Sequence, residues 1–143
     1  MSEQDLHALI DAGIVLRAEA DRQAAGRDLL AAASHLTSAA MLTSSDPTGG
    51  LVMAYDATRK AITAHMRAHG FRVRKGPGEH ERTAKYASAA LDPALTEHLD
   101  ALDQMRRLRH QSEYGARLIR TQELEVALTH TRAIVDAVHR ELQ

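Results

Sequence analysis

There is no cysteine in this chain, and aromatic residues make up only 3% of it. The first absence excludes disulfides, thiolate metal centres and a cysteine nucleophile. The second leaves few flat side chains on which bases stack, so a platform for single-stranded nucleic acid is not expected. No stretch approaches the roughly 18–20 apolar residues needed to span a bilayer. Met1 leads straight into the polar "SEQD", so no leader peptide is expected and the cytoplasm is the expected location. Convincing strand alternation and internal repeats are also missing, as are an HEXXH pair and a serine in a nucleophile-elbow pattern. "KGPGEH" (75–80) has glycines but neither the length nor the Lys-Ser/Thr ending of a phosphate loop. No cofactor is expected.

What is present fits one soluble domain over residues 1–143, with 44% hydrophobic and 26% charged residues. The net charge is −1, but it is unevenly spread. Residues 1–58 hold three basic and eight acidic side chains, 59–85 hold eight and two, and 86–143 hold seven and nine. A basic middle segment in a near-neutral chain reads either as a local anion-binding surface or as a solvated face.

Helical periodicity dominates. "SEQD" is a capping-box pattern in which Ser2 caps and Asp5 returns the bond, followed by Leu6, Leu9, Ile10, Gly13, Ile14 and Arg17. A second helix carries Leu29, Leu30, Ala33, Leu36, Ala40 and Met41, with a break expected at Gly26. "TSSDPTGG" (43–50) reads as a loop. A third helix then runs from Leu51 to a stop at Gly70. After it comes a basic connector in which Phe71 and Val73 tuck in while Arg72, Arg74 and Lys75 face out. A short helix from Glu79 to Leu91, a fifth begun by Asp92-Pro93 and a last one from Thr121 complete the pattern. The expected fold is all-α, an antiparallel bundle of five to six helices built largely from Ala and Leu.

The fifth helix carries an anomaly. With Leu95 at zero and 100° per residue, Leu99 and Leu102 define an apolar face, and Arg106, Arg109 and Glu113 fall at about 20°, 320° and 0°. Arginines on a core-facing stripe are costly unless they are paired or line a cleft. Arg109 and Glu113 stand four apart and can pair. On the third helix Tyr55 and Arg59 also stand four apart, which suggests one shared polar pocket. The alternative is a helix end emerging into water. Among the nine histidines, His65 and His69 share a helix face, but no third ligand stands at a supporting spacing and no metal site is expected.

"AYDATRKAITAHMRAHGFRVRKGPGEH" followed by "MRRLRHQSEY" resembles the HEPN domains (higher eukaryotes and prokaryotes nucleotide-binding). In that family a Tyr/Ala/Arg/Lys helix leads into a "GLR"-like turn and a Gly/His loop, and a later helix carries Arg-polar-x-x-x-His or a variant. The resemblance covers roughly residues 50–116, while the first fifty match only as generic helix. It implies an HEPN-like bundle that forms a homodimer, with its arginines facing a cleft shared between protomers. Active members are metal-independent endoribonucleases, many of them in toxin–antitoxin or phage-defence systems, and a nucleotidyltransferase-type protein is a common partner. Arg109 matches the family arginine, and Tyr114, five residues on, stands where the family histidine is expected. Tyrosine titrates too high to replace histidine readily in proton transfer at neutral pH. The resemblance therefore implies one of two things: an endoribonuclease, or a catalytically inactive module that binds RNA, a nucleotide or a protein partner. A helical scaffold with no polynucleotide role is the third reading. The candidate catalytic residues are Arg109, His110, Glu113 and Tyr114. The candidate phosphate-binding residues are Arg59, Arg72, Arg74, Lys75, His80 and Arg106.

Overall fold

Short polar side chains set the helix starts. Ser2, Asp21 and Asp46 each accept a hydrogen bond from the backbone N–H three residues on, at 3.3, 2.9 and 3.0 Å. The computed structural model describes residues 2–143, in which the helices are α1 Glu3–Asp11, α2 Arg22–Met41, α3 Pro47–His69, α4 Glu79–Ala90, α5 Thr96–Tyr114 and α6 Thr121–Glu141. The fold is an all-α bundle. Its one sheet among the described residues is a clip of two-residue strands, β1 Leu16–Arg17 and β2 Phe71–Arg72, paired antiparallel. No described helix is long and apolar enough to cross a membrane.

Several sequence expectations are corrected. The α1 pattern does not run on to Arg17: the helix stops at Asp11 and the chain turns at Gly13 before forming β1. The Ser2 N–H donates to the Ala89 carbonyl of α4 at 2.9 Å rather than closing a capping box with Asp5. Gly26 does not break α2, because one interior glycine costs only about 1 kcal/mol against alanine. Leu30 and Met41 are exposed, and α2 instead buries Ala25, Ala32 and Ala39 at heptad spacing against α3. The loop after α2 is also shorter than expected. Pro47 through Gly50 form the first turn of α3, with Pro47 at its start where a missing N–H costs nothing.

Small residues bring α2, α3 and α6 close together. A Cβ built on Gly50 would lie 2.5 Å from Leu124 Cδ2 and 3.3 Å from the Ala39 carbonyl oxygen, so any larger residue would push Leu124 out of this junction. The start of α2 bonds the end of α3, Asp21 N–H to the Arg67 carbonyl at 2.9 Å, so these two helices are antiparallel. In contrast, α3 and α6 run parallel. Their contacts climb in step: Ile119 N–H to Thr48 at 3.0 Å, Thr58 to Thr131 at 3.0 Å, and His65 to Glu141 at 2.9 Å. The long crossover through α4 and α5 makes this possible, and it departs from a purely antiparallel bundle. One continuous core draws on all six helices. Its fully buried members include Leu51, Ile62, Leu124 and Ile134, each worth about 1.5–3 kcal/mol.

Gly70 ends α3 in the left-handed conformation expected of it (φ 79°) and lets the chain reverse into β2. The connector then packs as its sequence suggests, with Val73 buried, Phe71 partly so and Arg72, Arg74 and Lys75 exposed. Arg82 of α4 holds it in place, donating to the carbonyls of Arg74 at 2.6 Å and Pro77 at 2.8 Å. The connector is thereby fixed as a wall beside α3 and α5.

Candidate functional site

Helix α5 buries Leu99, Leu102, Met105 and Leu108, a spacing of three that slips backwards around the helix by about 60° per step. The core face therefore drifts away from Arg106 and Arg109. Both arginines end on its border, with side chains 32% and 35% exposed, neither in the core nor free in water. They face a cleft of about 430 Å³ bounded by α3, α5 and the connector.

Tyr55 forms the floor of this cleft and is 3% exposed. Two guanidinium groups lie over its ring, Arg59 at 5.8 Å and Arg109 at 5.5 Å from the ring centre. Such contacts contribute about 0.5–2 kcal/mol each, more where desolvated. Burial raises the Tyr55 pKa above its usual value, while Arg59, Arg109 and Arg106 pull it back down. The hydroxyl stays protonated at neutral pH. Among the described residues, no protein group hydrogen-bonds it.

Each arginine has a carboxylate on its own helix. Arg59 meets Asp56 at 3.3 Å, Arg106 meets Asp103 at 3.1 Å, and Arg109 Nε stands 3.5 Å from Glu113. Asp103 is shared, since its second oxygen meets Arg107 at 2.9 Å. The Arg109–Glu113 contact is electrostatic only. It lies off the line of a hydrogen bond, and Arg109 Nε is buried without a hydrogen-bond partner. A guanidinium offers five N–H donors, so every one of these groups keeps donors for a ligand.

Three further side chains reach the same cleft. His80, in the first turn of α4, lines it beside Arg106. Its pKa is lowered, first by partial burial and then by the Arg106 charge, with Asp103 and Glu81 opposing, which favours a neutral imidazole at pH 7. His110 stacks on Tyr114 with ring centres 4.7 Å apart, and both are exposed at the rim.

The structure thus brings Arg59, His80, Arg106, Arg109, His110, Glu113 and Tyr114 to one cleft within a single chain. It does not bring Arg72, Arg74 and Lys75 there. These line a separate groove with Arg67 and Glu19, and Arg59, Glu79 and Thr83 border both. Sequence reasoning missed Asp103, which holds two arginines, although it stands three and four residues before them on one helix. It also missed the buried Thr83, whose hydroxyl bonds the Glu79 carbonyl at 2.9 Å beneath the cleft wall. Comparison with protein-family models, curated proteins and solved structures gives no match.

Proposed function

We propose that this chain is an HEPN-like, RNA-directed module whose cleft holds a phosphodiester. The observation that carries this reading is the clamp of Arg59 and Arg109 over buried Tyr55, with Arg106 beside them. Guanidinium forks that keep N–H donors free of their own carboxylates suit the oxygens of a phosphate. The protonated Tyr55 hydroxyl adds a neutral donor. The groove lined by Arg67, Arg72, Arg74 and Lys75 meets this cleft at Arg59, Glu79 and Thr83, and the run of cations from groove to cleft supports a chain of phosphates passing the site rather than a single one.

His80 favours a second reading, metal-independent cleavage. A neutral imidazole beside Arg106 is a suitable base for an RNA 2′-hydroxyl. The 2′-oxygen would then attack the adjacent phosphorus, Arg109 would stabilise the added negative charge, and the 5′-oxygen would leave with a proton from His110 or water. The products would be a 2′,3′-cyclic phosphate and a free 5′-hydroxyl. Tyr114, 78% exposed at the rim, is not needed as the base in this scheme.

A homodimer, or a nucleotidyltransferase-type partner in place of the second copy, is part of the proposal. Tyr114 at the cleft rim is 78% exposed and Leu118, in the segment after α5, is 81% exposed, which leaves apolar surface that a partner would cover. Incubating the protein with single-stranded and transfer RNA in EDTA separates the readings. Binding that weakens with salt, with a slope reduced by about one on Arg106→Ala, supports the phosphate cleft. Cleavage lost in His80→Ala supports the nuclease. Neither binding nor cleavage would overturn both.

A further inference from the structure

The C-terminal end of α3 carries a second polar cluster, apart from the cleft and with nothing to do in it. His65 and His69 lie one turn apart with their rings stacked, centres 4.1 Å apart and planes 20° apart. Both turn their Nε2 atoms to one oxygen of Glu141, in the last turn of α6, at 2.9 and 3.6 Å. The three donor atoms all lie within 4.8 Å of one another. The sequence supplied no third ligand near the histidine pair, but the parallel packing of α3 and α6 brings one from 72 residues beyond His69.

We infer that His65, His69 and Glu141 form a divalent transition-metal site of the zinc class, which clamps the end of α6 to the end of α3. The hydrogen bonds behind the rings carry the inference. His69 Nδ1 lies 2.8 Å from the His65 carbonyl, which can only accept, so Nδ1 holds the proton and Nε2 presents a lone pair towards the carboxylate. His65 Nδ1 lies 2.7 Å from the Tyr86 hydroxyl, whose oxygen can accept a hydrogen bond from Nδ1–H and fix the ring. Metal-binding histidines are held in this way, with the second ring nitrogen engaged by an outer partner. A proton shared with Glu141 satisfies one of the two contacts at that oxygen; a cation satisfies both.

Spacing and chemistry agree. Tetrahedral zinc with bonds of about 2.0–2.2 Å needs its ligand atoms about 3.3–3.5 Å apart, and 2.9 and 3.6 Å bracket that range. Two imidazoles and a carboxylate suit zinc better than magnesium or calcium, which prefer oxygen ligands. His65 is fully buried and Glu141 is 41% exposed, so the ion enters from the Glu141 side and keeps a position there for water.

The inference is independent of the RNA reading and is tested without RNA. Tag-free protein stripped with EDTA and then dialysed is titrated with Zn²⁺ against a chromophoric chelator, and its Tm is followed in parallel. One equivalent should bind tightly, with a Tm that rises with zinc concentration. His69→Ala and Glu141→Ala, both at solvent-accessible positions, should each weaken that equivalent by at least about 100-fold. They carry the test even if His65→Ala does not fold. The remaining seven histidines serve as the internal background. Zinc affinity unchanged in both variants, or no equivalent tighter in the wild type than in His69→Ala, would overturn the site.

Discussion

Helix α3 carries two polar clusters, and they are partnered in opposite ways. Around Tyr55 the ion pairs are local: Asp56–Arg59, Asp103–Arg106 and Arg109–Glu113 each join residues three or four apart on one helix. Around His65 the partners are remote, with Tyr86 21 positions away and Glu141 76. A local pair forms as soon as its helix does, so it ties no two helices together and leaves its charges available to a ligand. A remote pair exists only in the folded chain and fixes the helices that supply it. The first arrangement suits a binding site, and the second suits a clamp.

The largest effect should come from the cleft, and it should be one of function without loss of fold. Arg109→Ala removes an arginine that lies over Tyr55 but is one-third exposed and only loosely paired. If the protein cleaves RNA, kcat/KM should fall by about 10²–10³, the usual result of losing one preorganised donor. Tm should fall by only a few degrees, because the exposed pair contributes about 0–1 kcal/mol and the contact over Tyr55 about 0.5–2 kcal/mol. A large drop in Tm would place Arg109 with the clamp instead and break the comparison.

Tyr86→Phe should show the reverse. The Tyr86 ring is fully buried and its hydroxyl bonds His65 Nδ1 at 2.7 Å. Burial, with a further push from Glu141, raises its pKa so far that it remains a neutral phenol throughout. Removing the hydroxyl leaves a buried ring nitrogen without its partner and should cost about 1–3 kcal/mol by denaturant unfolding. RNA binding should be unchanged under conditions where the protein is folded. Weaker binding at full folding would mean that the two clusters are coupled.

The same contrast decides what was legible in the sequence. Arg59, Arg106, Arg109 and Glu113 come together as their helical spacing suggests, since positions three and four apart become neighbours on any helix. The stop at Gly70 is equally local and stands where its chemistry puts it, whereas α3 begins at Pro47, four residues before the expected Leu51, because Asp46 caps it and draws 47–50 into its first turn. Ends that depend on distant segments were misplaced. Residues 12–17 leave the helical pattern because Leu16 and Arg17 find backbone partners in Arg72 and Phe71. Glu141 could not be matched to His65 because no spacing rule reaches across α4 and α5 to a parallel helix. Arg72, Arg74 and Lys75 were grouped with the cleft by charge alone, and β2 turns them into the neighbouring groove.

A smaller effect should appear with pH in the metal-free protein. Burial lowers the His65 pKa, His69 lowers it further, and Glu141 only partly offsets them. His130 shifts the same way, through burial and then the charge of His98, against a weaker pull from Glu97. The unfolded chain therefore binds these protons more readily than the folded one. Their stabilising contribution is complete above the unfolded value of about 6.5 and is lost as pH falls towards the folded values. Urea unfolding should show stability declining below about pH 6.5 and levelling off once the folded values are passed. His80 shifts the same way but is exposed, so solvent screens its share. A stability that rises on acidification from pH 7 would contradict the buried, neutral His65.

The smallest effect tests what Glu113 does for Arg109. The pair stands 3.5 Å apart with both side chains more than one-third exposed, and Arg109 Nε makes no hydrogen bond to it. Stability should change by less than about 0.5 kcal/mol in Glu113→Gln, as for exposed pairs four apart on a helix. Binding is more revealing. A carboxylate that oriented the guanidinium would do so through a straight hydrogen bond, and this one does not. Its charge is spent opposing any phosphate that enters the cleft. Removing that charge while keeping the shape should tighten RNA binding by about two- to fivefold at low salt, with the gain shrinking as salt screens it. Equilibrium binding of a short RNA at two salt concentrations is enough to see it. Weaker binding in Glu113→Gln would make Glu113 an orienting group after all, and the cleft would then share with the clamp the property of needing its internal partners intact.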